Sequence, residues 1–163
     1  MKPEGLNLAD NQLTFADLES KVGKELGVSG WIEVDQSMID SFARTTRDNQ
    51  WIHVDVERAR TESPYHAPIA HGFLTLSLIP ALAAEIGTQP QGVSVAINYG
   101  LDRLRFLAPV KAGARVRLRS TLISLEERAP GQHLMKSAST MEIEGEERPA
   151  FAAETLLLLL TEG

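Results

Sequence analysis

The sequence predicts an α+β fold in which one antiparallel β-sheet packs on one long α-helix. Three observations carry this reading. Helix-patterned segments come first and strand-patterned segments last, without the alternation that builds parallel βαβ units. Residues 67–84 run for 18 positions without Asp, Glu, Lys or Arg, the pattern of a buried helix. Beyond residue 92 the apolar residues switch to period two. The chain has 163 residues, 43% hydrophobic and 23% charged. It is expected to fold as a single domain over 1–163, large enough to bury a core without staples.

The elements follow in order. Residues 1–13 read as an irregular leader, without the basic-then-apolar order of a secretory signal. Thr14 and Asp17 have the spacing of a capping box. Phe15, Leu18, Val22 and Leu26 then recur at helical spacing, which predicts a helix stopped by Gly27. Trp31, Ile32 and Val34 suggest a short strand. Asp35 can cap a second helix whose inner face is Met38, Ile39, Phe42 and Ala43, ending near Thr45 and Thr46. Asp55 can cap a third through about Ala59, and Pro64 and Pro68 bracket a loop. The long apolar helix ends near Gly87, and Pro80 inside it predicts a kink or local break.

In the strand half, Val93, Val95, Ile97 and Tyr99 alternate with Ser94, Ala96 and Asn98. Val116, Leu118, Ser120 and Leu122 alternate with Arg115, Arg117, Arg119 and Thr121. Two more strands are expected around 134–143 and 150–160, with a turn at Gly145 between them.

Several function classes are disfavoured. The apolar run contains His71, Gly72, Thr75, Ser77 and Pro80 and has no basic flank, so it reads as a buried helix and not as a membrane span. The chain has no cysteine, hence no disulfide, thiol nucleophile or zinc–thiolate site, which fits a reducing, cytoplasmic setting. A net charge of −6 argues against nucleic acid as a partner. No phosphate-binding loop, GxGxxG or GxSxG motif is present. His53, His66 and His71 match no compact zinc spacing, so neither a metal nor another cofactor is expected.

Of the four histidines, His133 reads as a surface residue and His66 as a structural one in its loop. His53 lies five residues after Asp48, a spacing that does not share one face of a regular helix. The two converge if Gln50, Trp51 and Ile52 form a turn. An acid and an imidazole so placed can hold a water molecule and move its proton, or can be a structural pair. His71 precedes Gly72 at the start of the long helix. The first N–H groups of a helix lack intrahelical acceptors, and glycine admits a close approach. Gly72 can therefore offer an oxyanion-hole donor, or simply allow tight packing.

The segments DNQWIHVDVERA, PIAHGFLTLSLIPAL and INYGLDRLRFLAPVKAGARV together resemble the MaoC-like (R)-specific enoyl-CoA hydratases. The QWIHVD form is most similar to their NodN-like branch. The resemblance implies a hot-dog fold, an antiparallel sheet wrapped around a long central helix, and a homodimer. It places the catalytic pair on Asp48 and His53 and the oxyanion-hole N–H on Gly72. The family's D-x-N-P-x-H pattern becomes Asp48-Asn49-Gln50-Trp51-Ile52-His53, with an amide at Gln50 and Trp51 in place of proline. Where some hydratases carry a positioning serine this chain has Pro80, which leaves Ser77 and Thr75 as candidate replacements.

The implied activity is reversible hydration of a trans-2-enoyl-CoA, or the acyl carrier protein thioester, to the (R)-3-hydroxyacyl thioester. Gln50, His71, Phe73, Leu76 and Tyr99 are candidate substrate contacts, and Ile79 and Leu82 further candidate walls for the acyl tail. Arg103, Arg105 and Lys111 are candidate cations for the carrier's phosphates. The competing expectations are a hot-dog thioesterase and a non-catalytic acyl-thioester-binding subunit of a heteromeric dehydratase.

Overall fold

The computed structural model describes residues 13–161. Among the described residues twelve elements follow one another. The N-terminal part comprises α1 (Phe15–Glu19), β1 (Glu25–Val28), β2 (Ile32–Val34), α2 (Gln36–Thr46), α3 (Trp51–Val54) and α4 (Val56–Glu62). The central helix is split into α5 (Gly72–Ser77) and α6 (Ile79–Ile86). Four long strands close the chain: β3 (Val93–Phe106), β4 (Ala114–Ala129), β5 (Gln132–Ile143) and β6 (Phe151–Thr161). Apart from Leu13, the expected N-terminal leader lies outside the described residues.

The local signals behave as their chemistry requires. Thr14 and Asp17 form a reciprocal capping box. Asp35 accepts from the Met38 N–H at the start of α2, and Asp55 from the Arg58 N–H at the start of α4. Pro80 sits in the first turn of α6, where its missing N–H costs nothing, and the central helix breaks at Leu78. Gly87 then ends α6 in the left-handed conformation.

One expectation fails. The helix predicted from Phe15 to Leu26 stops at Glu19, and Leu26 belongs to β1. Gly23 at φ 79° turns the chain, and its N–H bonds to the Leu122 carbonyl. Pairing of the following residues with β4 then outweighs the helical spacing of the apolar side chains.

All ladders are antiparallel, in the order β1-β4-β5-β6-β3, with β2 also paired to β4. One face of the sheet carries Val116, Leu118, Met141, Ile143, Phe151 and Ala153 against Leu74 and Leu82 of the central helix and Ile39 of α2. The other face carries a charged ladder in which Arg117 and Arg119 share Glu142 and Arg119 also reaches Glu25. These pairs are partly solvated and add little stability each. Strand β3 is an edge, exposed along nearly its whole length.

Candidate active site

The sequence from α2 to α5 brings Asp48, His53 and His71 together. Helix α2 ends where Arg47 adopts the left-handed conformation at φ 65°. The chain runs without regular structure through Asp48 and Asn49 and turns into α3 at Trp51. Asp48 and His53 thus flank a bend, as a five-residue separation needs. Trp51 and Ile52 are half-buried rather than core residues, and the Arg58 guanidinium lies 4.3 Å above the Trp51 ring.

Backbone carbonyls fix both imidazoles. His53 Nδ1 lies 2.6 Å from the Ile69 carbonyl oxygen. A carbonyl only accepts, so Nδ1 carries the proton and neutral His53 presents the Nε2 lone pair. His71 Nε2 donates in the same sense to the Asp48 carbonyl at 2.9 Å. The His71 side chain therefore holds the backbone of Asp48, while its ring stacks on His53 with centroids 3.8 Å apart. Phe42 covers the other side of His71, with ring centroids 5.0 Å apart. Two further bonds hold the turn, from Gln36 Nε2 to the His53 carbonyl and from the Ile69 N–H to the Ile52 carbonyl.

One carboxylate oxygen of Asp48 and one ring nitrogen each of His53 and His71 lie within 4.8 Å of one another. Asp48 is exposed, whereas the two histidines are buried. Burial is the largest influence on His53 and pushes its pKa below the usual imidazole value. The Ile69 carbonyl and Asp48 pull the other way, and His71 adds to the lowering. His53 is thus held neutral, in the state that accepts a proton. The same three groups form a conceivable cation-binding set. However, the rings are stacked at 27°, so their in-plane lone pairs run side by side and do not converge on one point. One nitrogen of each ring is also committed to a carbonyl. The arrangement suits a water molecule and proton transfer better than an ion.

Gly72 opens α5 directly after His71. Its N–H has no hydrogen-bond partner among the described residues, and His71 gives no side-chain cap. A Cβ at Gly72 would lie 2.9 Å from the Phe106 ring, so the glycine also serves packing. The packing reading of Gly72 is met by this contact.

The other candidates are scattered. Gln50 is exposed at the start of α3 and makes no capping bond. Phe73 is exposed and meets Phe106 edge-on at 5.6 Å. Leu76, Ile79 and Tyr99 line a cavity of about 1380 Å³ between the central helix and the sheet, whereas Leu82 is sealed in the core. Arg103 is paired with Glu154, and Arg105 bonds the Leu104 carbonyl. Lys111 is exposed on the segment that bridges to Ile69. Thr75 donates to the Gly72 carbonyl and Ser77 to the Phe73 carbonyl, so both hydroxyl protons are used within the helix. His66 is exposed at φ 53°, and His133 is half-buried against Phe15. The anchoring role of His71 and the Ile69 carbonyl had no sequence signal beyond the AHG tripeptide.

An antiparallel sheet laid on a broken central helix defines a hot-dog protein, with Asp48, His53 and His71 grouped beside the start of α5. Residues 17–142 match the family described as MaoC like domain, and the chain belongs to that family. It is 46% identical over 149 residues to nodulation protein N of Rhizobium leguminosarum bv. viciae, covering 91% of this chain and 92% of that one. It is 44% identical over 144 residues to 3-hydroxyacyl-thioester dehydratase Z of Mycobacterium tuberculosis, covering 88% and 94%. Among solved structures, the (R)-hydratase from A. caviae involved in PHA biosynthesis superimposes with a TM-score of 0.67 at 24% identity. That match covers 83% of this chain and 94% of the hydratase. The hot-dog fold and the MaoC-like, NodN-like affiliation expected from the sequence are therefore both met. Among the described residues, no helix is long and apolar enough to cross a membrane.

Proposed function

We propose that the chain catalyses the reversible hydration of trans-2-enoyl thioesters to (R)-3-hydroxyacyl thioesters. The observation that carries this reading is the grouping of the Asp48 carboxylate with ring nitrogens of His53 and His71 within 4.8 Å, His71 being followed by Gly72, whose N–H has no partner among the described residues. The Gly72 N–H polarises the thioester carbonyl, an interaction worth about 3 kcal/mol where charge develops on the oxygen. His53 Nε2 and the Asp48 carboxylate hold a water molecule, whose oxygen attacks C3 as its proton passes to the pair. The same pair returns a proton to C2 on the same face, giving syn addition. All atoms of the water end in the product, and no electrons are exchanged with an outside group. Acid–base assistance of this kind contributes about 10²–10⁴-fold.

The homologous 3-hydroxyacyl-thioester dehydratase supports the thioester class. Lys111 and Arg105, both exposed, are assigned to the phosphates of coenzyme A or an acyl carrier protein. The exposed β3 edge supports a homodimer, and the lack of cysteine agrees with a cytoplasmic setting.

The test is loss of enoyl-thioester absorbance with crotonyl-CoA and longer enoyl-CoAs, with chiral analysis of the product. Asp48→Asn and His53→Gln should each remove at least about 10²-fold of the rate while the fold is kept. Full activity in both variants overturns the site. Release of free thiol in place of hydration would indicate a thioesterase, and tight binding without turnover a non-catalytic subunit.

A further inference from the structure

The cavity beside the central helix contains polar groups that the chemistry at Asp48 and His53 does not use. Ser120, Ser137 and Ser139 line it, 6%, 5% and 2% exposed, and Thr155 stands next to them. In the sheet register Ser120 lies opposite Ser139 and Ser137 opposite Thr155. The four hydroxyls therefore form a band across β4, β5 and β6 on the face turned to the helix. Two are satisfied internally: Ser139 and Thr155 bond to each other at 3.1 Å, and Thr155 also reaches the Ser137 carbonyl. The hydroxyls of Ser120 and Ser137 have no hydrogen-bond partner among the described residues. Both hydroxyls are open to the cavity and free to bond, so they offer a place for a ligand's polar atom.

The remaining walls narrow the chemistry. Leu76, Ile79, Leu118, Met135 and Leu159 make the cavity largely apolar. Among the described residues the only charged one lining the cavity, Glu85, is engaged with the Gly30 N–H and offers no match to a charged tail. Leu76, which lines the cavity, lies one helical turn beyond Gly72, about 6 Å along the axis, within the length of a tail anchored at the Gly72 N–H. We infer that the cavity takes an acyl thioester whose tail carries a neutral oxygen, hydroxyl or keto, and that Ser120 and Ser137 bind that oxygen. This rests on the reading of the site as one for acyl thioesters and adds the substrate class.

The experiment compares trans-2-enoyl-CoAs of one chain length, unsubstituted or bearing a single hydroxyl or keto group at successive carbons beyond the double bond. The wild type should favour at least one oxygenated position over the plain chain by about tenfold in kcat/KM. Ser120→Ala and Ser137→Ala should each shrink that ratio, and the double variant should bring it to one, with melting curves reporting the fold. A preference for the plain chain over every oxygenated one, or a ratio unchanged in the double variant, overturns the inference. If no thioester is hydrated, the hydratase reading alone falls. Calorimetric binding of the same pairs to wild type and double variant then decides the pocket by the same ratio.

Discussion

The His71 imidazole stacks on His53 at 3.8 Å between ring centroids and donates through Nε2 to the backbone carbonyl of Asp48. One side chain thus sets the height of the imidazole and the position of the acid. His71→Phe keeps an aromatic ring in the stack, removes the donor to Asp48 and also removes the buried, unpartnered Nδ1. Misplacing a reacting group by about 1 Å costs about 10²-fold in rate, so kcat should fall by that order while KM changes little. His71 also lowers the His53 pKa, so the acidic limb of the rate profile should move to higher pH. Steady-state kinetics across pH checks both. An unchanged kcat would reduce His71 to packing.

The pH dependence has a definite sign. Burial disfavours the His53 imidazolium, so its folded pKa lies below the usual value near 6.5. The neutral base is present above that value, and kcat/KM should fall as pH drops through the folded pKa. Stability follows the same direction. Between the folded pKa and about pH 6.5 the unfolded chain binds more protons, so unfolding free energy rises with pH there. The contribution is complete above about pH 6.5 and is lost as pH falls through the folded value. Thermal melting of wild type and His53→Gln over this range checks it. The variant should lose this part of the slope, and an acidic limb of the wild-type rate centred above pH 6.5 would contradict the assignment.

Local features of the site were readable from sequence because their causes are local. Asp35, Asp55 and the Thr14–Asp17 box act within three residues, and the bend from Asp48 to His53 spans only five. The break at Pro80 follows from its missing N–H. What could not be read depends on partners far along the chain. The hold of His71 on Asp48 spans 23 residues, and the loss of the helix after Glu19 depends on pairing with β4. Ser120 interrupts the inward row of Val116, Leu118 and Leu122, a signal visible in the alternation. Its meaning required the registers that bring Ser137, Ser139 and Thr155 alongside.

The packing of Gly72 and its proposed role as an N–H donor can be separated. Its Cα faces the Phe106 ring, which is held edge-on between Phe73 and Phe151. Gly72→Ala keeps the N–H but forces the ring to move, so it should lower Tm and activity together. Phe106→Leu in the same chain relieves the contact. If the N–H is what polarises the carbonyl, activity should recover with Tm in the double variant. Recovery of Tm alone would mean that the bare Cα is needed for substrate approach.

The β3 edge gives the last test. Val95, Ile97, Tyr99 and Leu101 are all more than 40% exposed on a 14-residue strand at the end of the sheet. Soluble proteins protect such edges with charge, proline or a cover, since unpaired backbone beside apolar side chains invites association. The N-terminal half of β3, residues 93–101, contains neither a charge nor a proline. A second copy of the chain, paired edge to edge about a two-fold axis, would supply both the hydrogen bonds this edge lacks among the described residues and apolar cover. Sedimentation should therefore give the mass of two chains for the wild type and of one for Val95→Lys with Ile97→Lys. Tyr99 and Leu101 also line the cavity proposed for the acyl tail, so the monomeric variant should lose affinity for long enoyl thioesters more than for crotonyl-CoA. A wild-type monomer, or a lysine variant that remains dimeric, would place the interface elsewhere.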